Sequence, residues 1–142
     1  MADALLARAL GYPYPAPDGP FVMRDGETMP WPVGLDPAAE GRVPVVAVGS
    51  NRAPEQLARK VPAGILPVEP VSVAGIEVAF SAHFAPYGSL PATPLAAPGV
   101  TAHLAVVWLT GAQLAVMDDS EAVGVAYERL WRTGGLETAG GP

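Results

Sequence analysis

Three carboxylates, Asp118, Asp119 and Glu121, fall within four residues. Crowding of like charges together with partial burial favours the protonated form, so a carboxyl placed this way can take up and release a proton near neutrality. Glu121 is the favoured member of the group. It stands four residues after Met117, so a helix that runs that far returns it to the apolar edge, while Asp119 faces solvent. A solvated helix end is the plain alternative for the same cluster. The second candidate is Gly49-Ser50-Asn51, which directly follows the apolar run from Val43 to Val48. A short loop between a buried strand and a helix aims several backbone N–H groups one way, and can hold a carboxylate or a developing oxyanion. Gly, Ser and Asn are also common turn formers, so an ordinary turn is the competing reading.

The elements that must position these groups are legible around them. Val43 to Val48 is short, apolar and β-branched, and predicts a strand buried on both faces. After the loop, Pro54 suits a first helical position, Glu55 suits the helix start, and Arg59 and Lys60 suit its end. Ala102 to Leu109 predicts another strand, largely apolar on both faces. Thr110 and Gln113 then have capping-box spacing, and Leu109 with Leu114 has the spacing of a hydrophobic staple, so both signals start a helix at one boundary. That helix closes on Asp118, Asp119, Ser120 and Glu121, with negative charge at the unfavourable end of the dipole.

Elsewhere, Ile76, Val78, Phe80, Ala82 and Phe84 alternate with Glu77, Ala79, Ser81 and His83, which predicts a half-buried strand. Ala85 to Gly99 holds four prolines in fifteen residues and reads as a rim loop with room for a short strand; Tyr87 and Ser89 there offer hydroxyls to a ligand. Ala2 to Leu10 predicts a short amphipathic helix, and Gly11 to Pro37, with seven prolines, an irregular arm whose Phe21, Met23 and Trp31 pack down on the body. This gives two parts, a helix and Pro-rich arm over residues 1–40 and a folded domain over 41–142, of α+β class or a small mixed β-barrel with short helices. Trp108 reads as core, and Trp131 as a cover for a pocket or interface.

Composition removes several classes of function. The chain of 142 residues is half apolar and 15% charged, the size and balance of one globular domain. Its 16 glycines and 17 prolines make it rich in turns. A net charge of −6 supplies no field for phosphates, so nucleic acid is not an expected partner. With no cysteine and only His83 and His103, twenty residues apart, no metal or other cofactor is expected, and each histidine reads as hydrogen-bonded scaffold. Asp3 stands where an export signal carries basic residues, and the longest apolar run, Leu104 to Leu109, is far short of the ~20 residues of a membrane span. The expectation is a soluble, cytoplasmic protein with no membrane partner.

The two candidate sites taken together carry a resemblance. AVGSNRAPEQLARK, followed some seventy residues later by LTGAQLAVMDDSEAVGVAYERL, resembles the gamma-glutamylcyclotransferase-like family, in which a Y-G-S-N type loop after the first strand is paired with a glutamate at a later helix end. The likeness covers Val43 to Leu130 and rests on the order and spacing of the motifs. It implies a small mixed barrel and a small-molecule gamma-glutamyl substrate, cyclised to 5-oxoproline without a cofactor. Glu121 matches the acid/base glutamate, Gly49, Ser50 and Asn51 the substrate loop, and Tyr127 a pocket-lining tyrosine. Val48 replaces the tyrosine that opens the loop motif, and Ala122 the glycine after the glutamate. Little chain follows Tyr127, so either the N-terminal arm replaces the family's last strands or the barrel stays open. Two other functions compete, a binding module that keeps the cavity without turnover and a protein-interaction domain using the Pro-rich arm.

Overall fold

The computed structural model describes residues 2–11, 14–80, 92–120 and 134–138. Helix α1 (Ala2–Gly11) is followed by strands β1 (Phe21–Arg24), β2 (Glu27–Pro30) and β3 (Val43–Ala47), a single 3-10 turn at Ser50–Arg52, and helix α2 (Pro54–Lys60). Two long strands, β4 (Ile65–Phe80) and β5 (Ala92–Leu109), then lead to helix α3 (Gly111–Ser120) and a short β6 (Leu136–Thr138). The six strands form one antiparallel sheet in the order β2-β1-β4-β5-β3, with β6 added to β4 beyond β1. Strands β2 and β3 end the path and do not pair with each other, so the sheet is not closed into the expected barrel among the described residues. The α+β class holds.

Period-two alternation divides the apolar residues between the two faces of this sheet. Phe21, Met23, Ala47, Leu66, Val68, Ala105, Val107 and Leu109 form one core cluster, capped by Leu57 and Val61 of or next to α2 and by Met117 of α3. Val71, Val73, Leu104 and Val106 form the other, flanked by Val46, Val48, Ile76, Val78 and Trp108. The strand expected at Ile76 and Val78 is the far half of β4. Its register shifts between Ala74 and Ile76, and Gly75 sits there at φ 79°. Gly75 alone stands opposite four residues of β5, 97–100, and across this irregularity Ile76 and Val78 stay with the cluster of Val71 and Val73, which strict alternation would not allow. Phe80 at the tip is 66% exposed.

Three expectations are corrected. Strand β3 contributes to both clusters, as its composition requires, yet it is an edge strand, only partly buried and with Pro44 exposed. An edge is where a proline without an N–H is tolerated. The N-terminal arm is not irregular throughout, because β1 and β2 form a hairpin whose Phe21, Val22 and Met23 are buried. Asp25 at φ 48° and Gly26 at φ 83° make its turn, and the Asp25 Oδ1 accepts the Gly64 N–H at 2.8 Å. Strand β5 begins at Ala92, so the last part of the Pro-rich segment is strand rather than rim loop.

The two helices that bear on the site form where the sequence signals them. Pro54 is at the start of α2, and Glu55 and Arg59 pair one turn apart on its exposed side. At α3 the Gln113 amide donates to Thr110 Oγ1 at 3.2 Å and the Thr110 amide to Gln113 Oε1 at 3.0 Å, which is a complete capping box. Leu109 is fully buried and Leu114 packs on its cluster, in accord with the staple. Helix α1 buries no residue. It is tied to the body through Tyr14, whose hydroxyl donates to the Arg8 carbonyl at 2.9 Å and whose ring lies 5.1 Å from the Arg59 guanidinium. No helix is long and apolar enough to cross a membrane among the described residues.

Candidate functional site

The chain leaves β3 at Ala47, a member of the helix-side cluster, and Val48 packs against the opposite one. Gly49 follows at φ −124°, ψ −131°, and Ser50 to Arg52 close one 3-10 turn through the Ala53 N–H on the Ser50 carbonyl at 2.9 Å. This turn separates the loop from α2. The helix begins only at Pro54, with Ala53 accepting its first N–H groups, so its dipole does not stand directly behind the Gly49 and Ser50 amides. Those two amides make no hydrogen bond to another backbone group among the described residues. Ser50 is buried, and Asn51 presents its side-chain oxygen to Lys60 Nζ at 2.8 Å, across the length of α2.

The turn delivers Arg52 to the open end of the β3–β5 pairing. Strand β3 stops opposite Ala105, and in the next place along β5 the Arg52 Nη1 donates to the His103 carbonyl at 3.1 Å. Arg52 Nε is buried and has no hydrogen-bond partner among the described residues. Beside it lies a hollow of about 230 Å3, walled by Val48, Arg52, Glu77, Val78 and the Val100 to Leu104 stretch of β5. A second hollow of about 210 Å3 shares Arg52 and Leu104 and is completed by Tyr14, Asp18 and Phe21. Thus Val48 and Arg52 face a cavity, while Gly49, Ser50 and Asn51 line neither of these two.

His103 pairs with Ser72 across the β4–β5 ladder, Nδ1 standing 3.1 Å from the hydroxyl oxygen. This agrees with a scaffold role for that histidine. Trp108 is half-buried and donates its indole N–H to Glu69 at 3.1 Å. Among the described residues no three metal-ligating side chains come together. The candidate residues His83, Tyr87, Ser89, Glu121, Tyr127 and Trp131 lie outside the described residues. What leads to Glu121 is described: α3 ends on Asp118, Asp119 and Ser120, the Ser120 hydroxyl donates to the Met117 carbonyl at 2.8 Å, and Met117 sits in the same cluster as Ala47 and Leu57. Reading the sequence missed Arg52 and Glu77. The available signal was a cation set immediately after the loop and an acid on the polar side of the alternating strand.

Comparison with protein-family models, with curated proteins and with solved structures finds no match to this chain.

Proposed function

We propose that the chain is a gamma-glutamylcyclotransferase-like enzyme that cyclises a small gamma-glutamyl amine or amide. The substrate's α-amine attacks its own side-chain carbonyl, a new C–N bond closes the five-membered ring, and the bond to the leaving amine breaks. Products are 5-oxoproline and the free amine, with no water or second substrate consumed. Glu121 takes the proton from the attacking nitrogen and returns it to the leaving one. The amides of the Gly49 to Asn51 loop bind the oxygen that gains charge, and Tyr87, Ser89 and Tyr127 contribute hydroxyls to the pocket. The amine and the carbonyl belong to one molecule, so no second reactant has to be brought in and the protein has only to hold the folded conformation, which is why so few groups suffice.

The observation that carries this reading is a convergence. The loop begins one residue after Ala47, and α3, which leads to Glu121, packs its last turn through Met117 into the cluster that contains Ala47. Two segments some seventy residues apart therefore pack on the same face of the sheet, an arrangement that supports the order in the family resemblance. Incubation with a panel of gamma-glutamyl compounds should release 5-oxoproline, and Glu121→Gln should reduce the rate at least about a hundredfold. Absence of release from every compound, or full activity in Glu121→Gln, defeats the proposal. Val48 favours a second reading, a binding module without turnover, because it takes a hydroxyl and a ring from the pocket wall. Ligand-dependent melting shifts without product distinguish it from the first.

A further inference from the structure

Among the described residues from Ala2 to Pro20, only Tyr14 is buried, at 6% exposure. Tyr14 finishes helix α1. Its hydroxyl donates to the Arg8 carbonyl at 2.9 Å and its N–H to the Gly11 carbonyl at 2.6 Å, two of the last-turn acceptors that a helix leaves open. A Cβ added at Gly11 would stand 3.3 Å from two carbons of the ring, so the ring lies against the end of the helix. The same ring meets the Arg59 guanidinium of α2 at 5.1 Å. Helix α1 buries none of its own residues and leaves Leu5, Leu6 and Leu10 exposed, and its ten residues are too few to hold a helix in water unaided.

No ladder holds the residues that follow Tyr14. Pro15, Pro17 and Pro20 have no N–H, and residues 15–20 make no backbone hydrogen bond among the described residues. Tyr14 itself stands at φ 69°, a left-handed conformation that a non-glycine residue holds only when its surroundings impose it, and Pro15 restricts it further. Between this segment and the sheet is the hollow of about 210 Å3, with Tyr14, Ala16 and Asp18 on one side and Arg52, Leu104 and Ala105 on the other.

We propose that residues 2–18 are a strap, fastened at Tyr14, that closes this hollow and folds α1 in a single step. One ring caps the helix, seats on Arg59 and walls the hollow, so its withdrawal undoes all three contacts together. Release also relieves the strained φ, which brings the open form within reach of local fluctuation. A small molecule held between strap and sheet favours the closed form, so occupancy of the hollow is coupled to order in α1. The device governs access to Arg52 and Leu104, which this hollow shares with the one beside the loop, and it does not depend on the reaction proposed above.

The chain contains no cysteine, so one introduced thiol reports on a chosen place. Ala105→Cys puts it on the sheet side of the hollow, and Met117→Cys puts it in the same core cluster but away from both hollows. Labelling by a chromogenic aromatic disulfide and amide hydrogen exchange are followed on the full chain, with and without Tyr14→Ala. Tyr14→Ala should speed labelling at Ala105→Cys at least about tenfold, leave Met117→Cys within about twofold, and remove exchange protection from Ala2 to Gly11 while β4 and β5 keep theirs. Tyr14→Phe, which keeps the ring and loses one cap, should fall between. The inference is overturned if labelling at Ala105→Cys is unchanged, if Met117→Cys accelerates equally through general loosening, or if α1 keeps its protection. A Tyr14→Ala chain that fails to fold overturns it as well, since Tyr14 then belongs to the core. Exchange on Tyr14→Ala needs no cysteine, so it decides the question if Ala105→Cys disturbs folding.

Discussion

Replacing Gln113 by alanine removes three hydrogen bonds that join three elements. Its Oε1 accepts the Thr110 amide at 3.0 Å and Arg42 Nη1 at 3.1 Å, and its Nε2 donates to the Ile65 carbonyl at 2.8 Å. The first starts α3; the other two tie that start to the approach to β3 and to the first residue of β4. Each such bond contributes about 1 kcal/mol net, the one to the guanidinium somewhat more. Arg42 keeps the Ile65 and Trp108 carbonyls, and water reaches part of the site, which lowers the total. Alanine also returns a few tenths of a kcal/mol in helix propensity. The expected loss is about 2–3 kcal/mol, equivalent to roughly 6–12 °C in Tm for a chain of this size. Urea unfolding followed by circular dichroism should show the midpoint fall with an unchanged slope. Thr110→Ala should lose only about 1 kcal/mol, and Gln113→Glu, which keeps the acceptors and loses the Ile65 bond, should lie between wild type and alanine. A loss under about 0.5 kcal/mol in Gln113→Ala would refute the view that this residue fastens α3 to the sheet.

Other perturbations follow from the same packing. Leu57→Ala, at a position with no exposure in the middle of the helix-side cluster, should cost about 2–5 kcal/mol by chemical denaturation, since two strands and α3 frame the void. Gly26→Ala has room for its Cβ, with Pro62 O at 3.7 Å, but φ is 83°; a loss of about 1–2 kcal/mol is expected, and a gain would show that the Asp25-Gly26 turn is wrongly described. Glu55→Gln breaks an ion pair whose side chains are 52% and 36% exposed, and should change stability by less than about 1 kcal/mol, with the difference shrinking further in high salt.

Local signals in this sequence are reliable where one boundary is specified twice. The α3 start is marked by Thr110 with Gln113 and again by Leu109 with Leu114, and both devices are present. Pro54 fixes the first turn of α2 in the same way. The β1–β2 hairpin was equally readable, since Asp-Gly between two apolar-containing runs is a strong hairpin signal. Seven prolines around it concealed the strands, which are only four residues each and depend on β4 for their order. Composition showed that β3 serves two cores but could not say that it lies at an edge, because that is decided by partner order. The Gly75 bulge escaped because alternation on either side of it is regular and only the phase changes. Arg52 could not be found from spacing: its importance comes from the end of the β3–β5 ladder, where a guanidinium takes the carbonyl that the next strand residue would have used.

A ligand held at the loop after β3 and the neighbouring β4–β5 hollow is the central expectation. Amide chemical shifts recorded while L-glutamate is added to the isotope-labelled chain test this most directly. Saturable changes should concentrate at Val48 to Arg52, at Glu77 and Val78, and along Val100 to Leu104. Changes confined to α1 or to the β1–β2 hairpin, or a spectrum that does not respond, would contradict it.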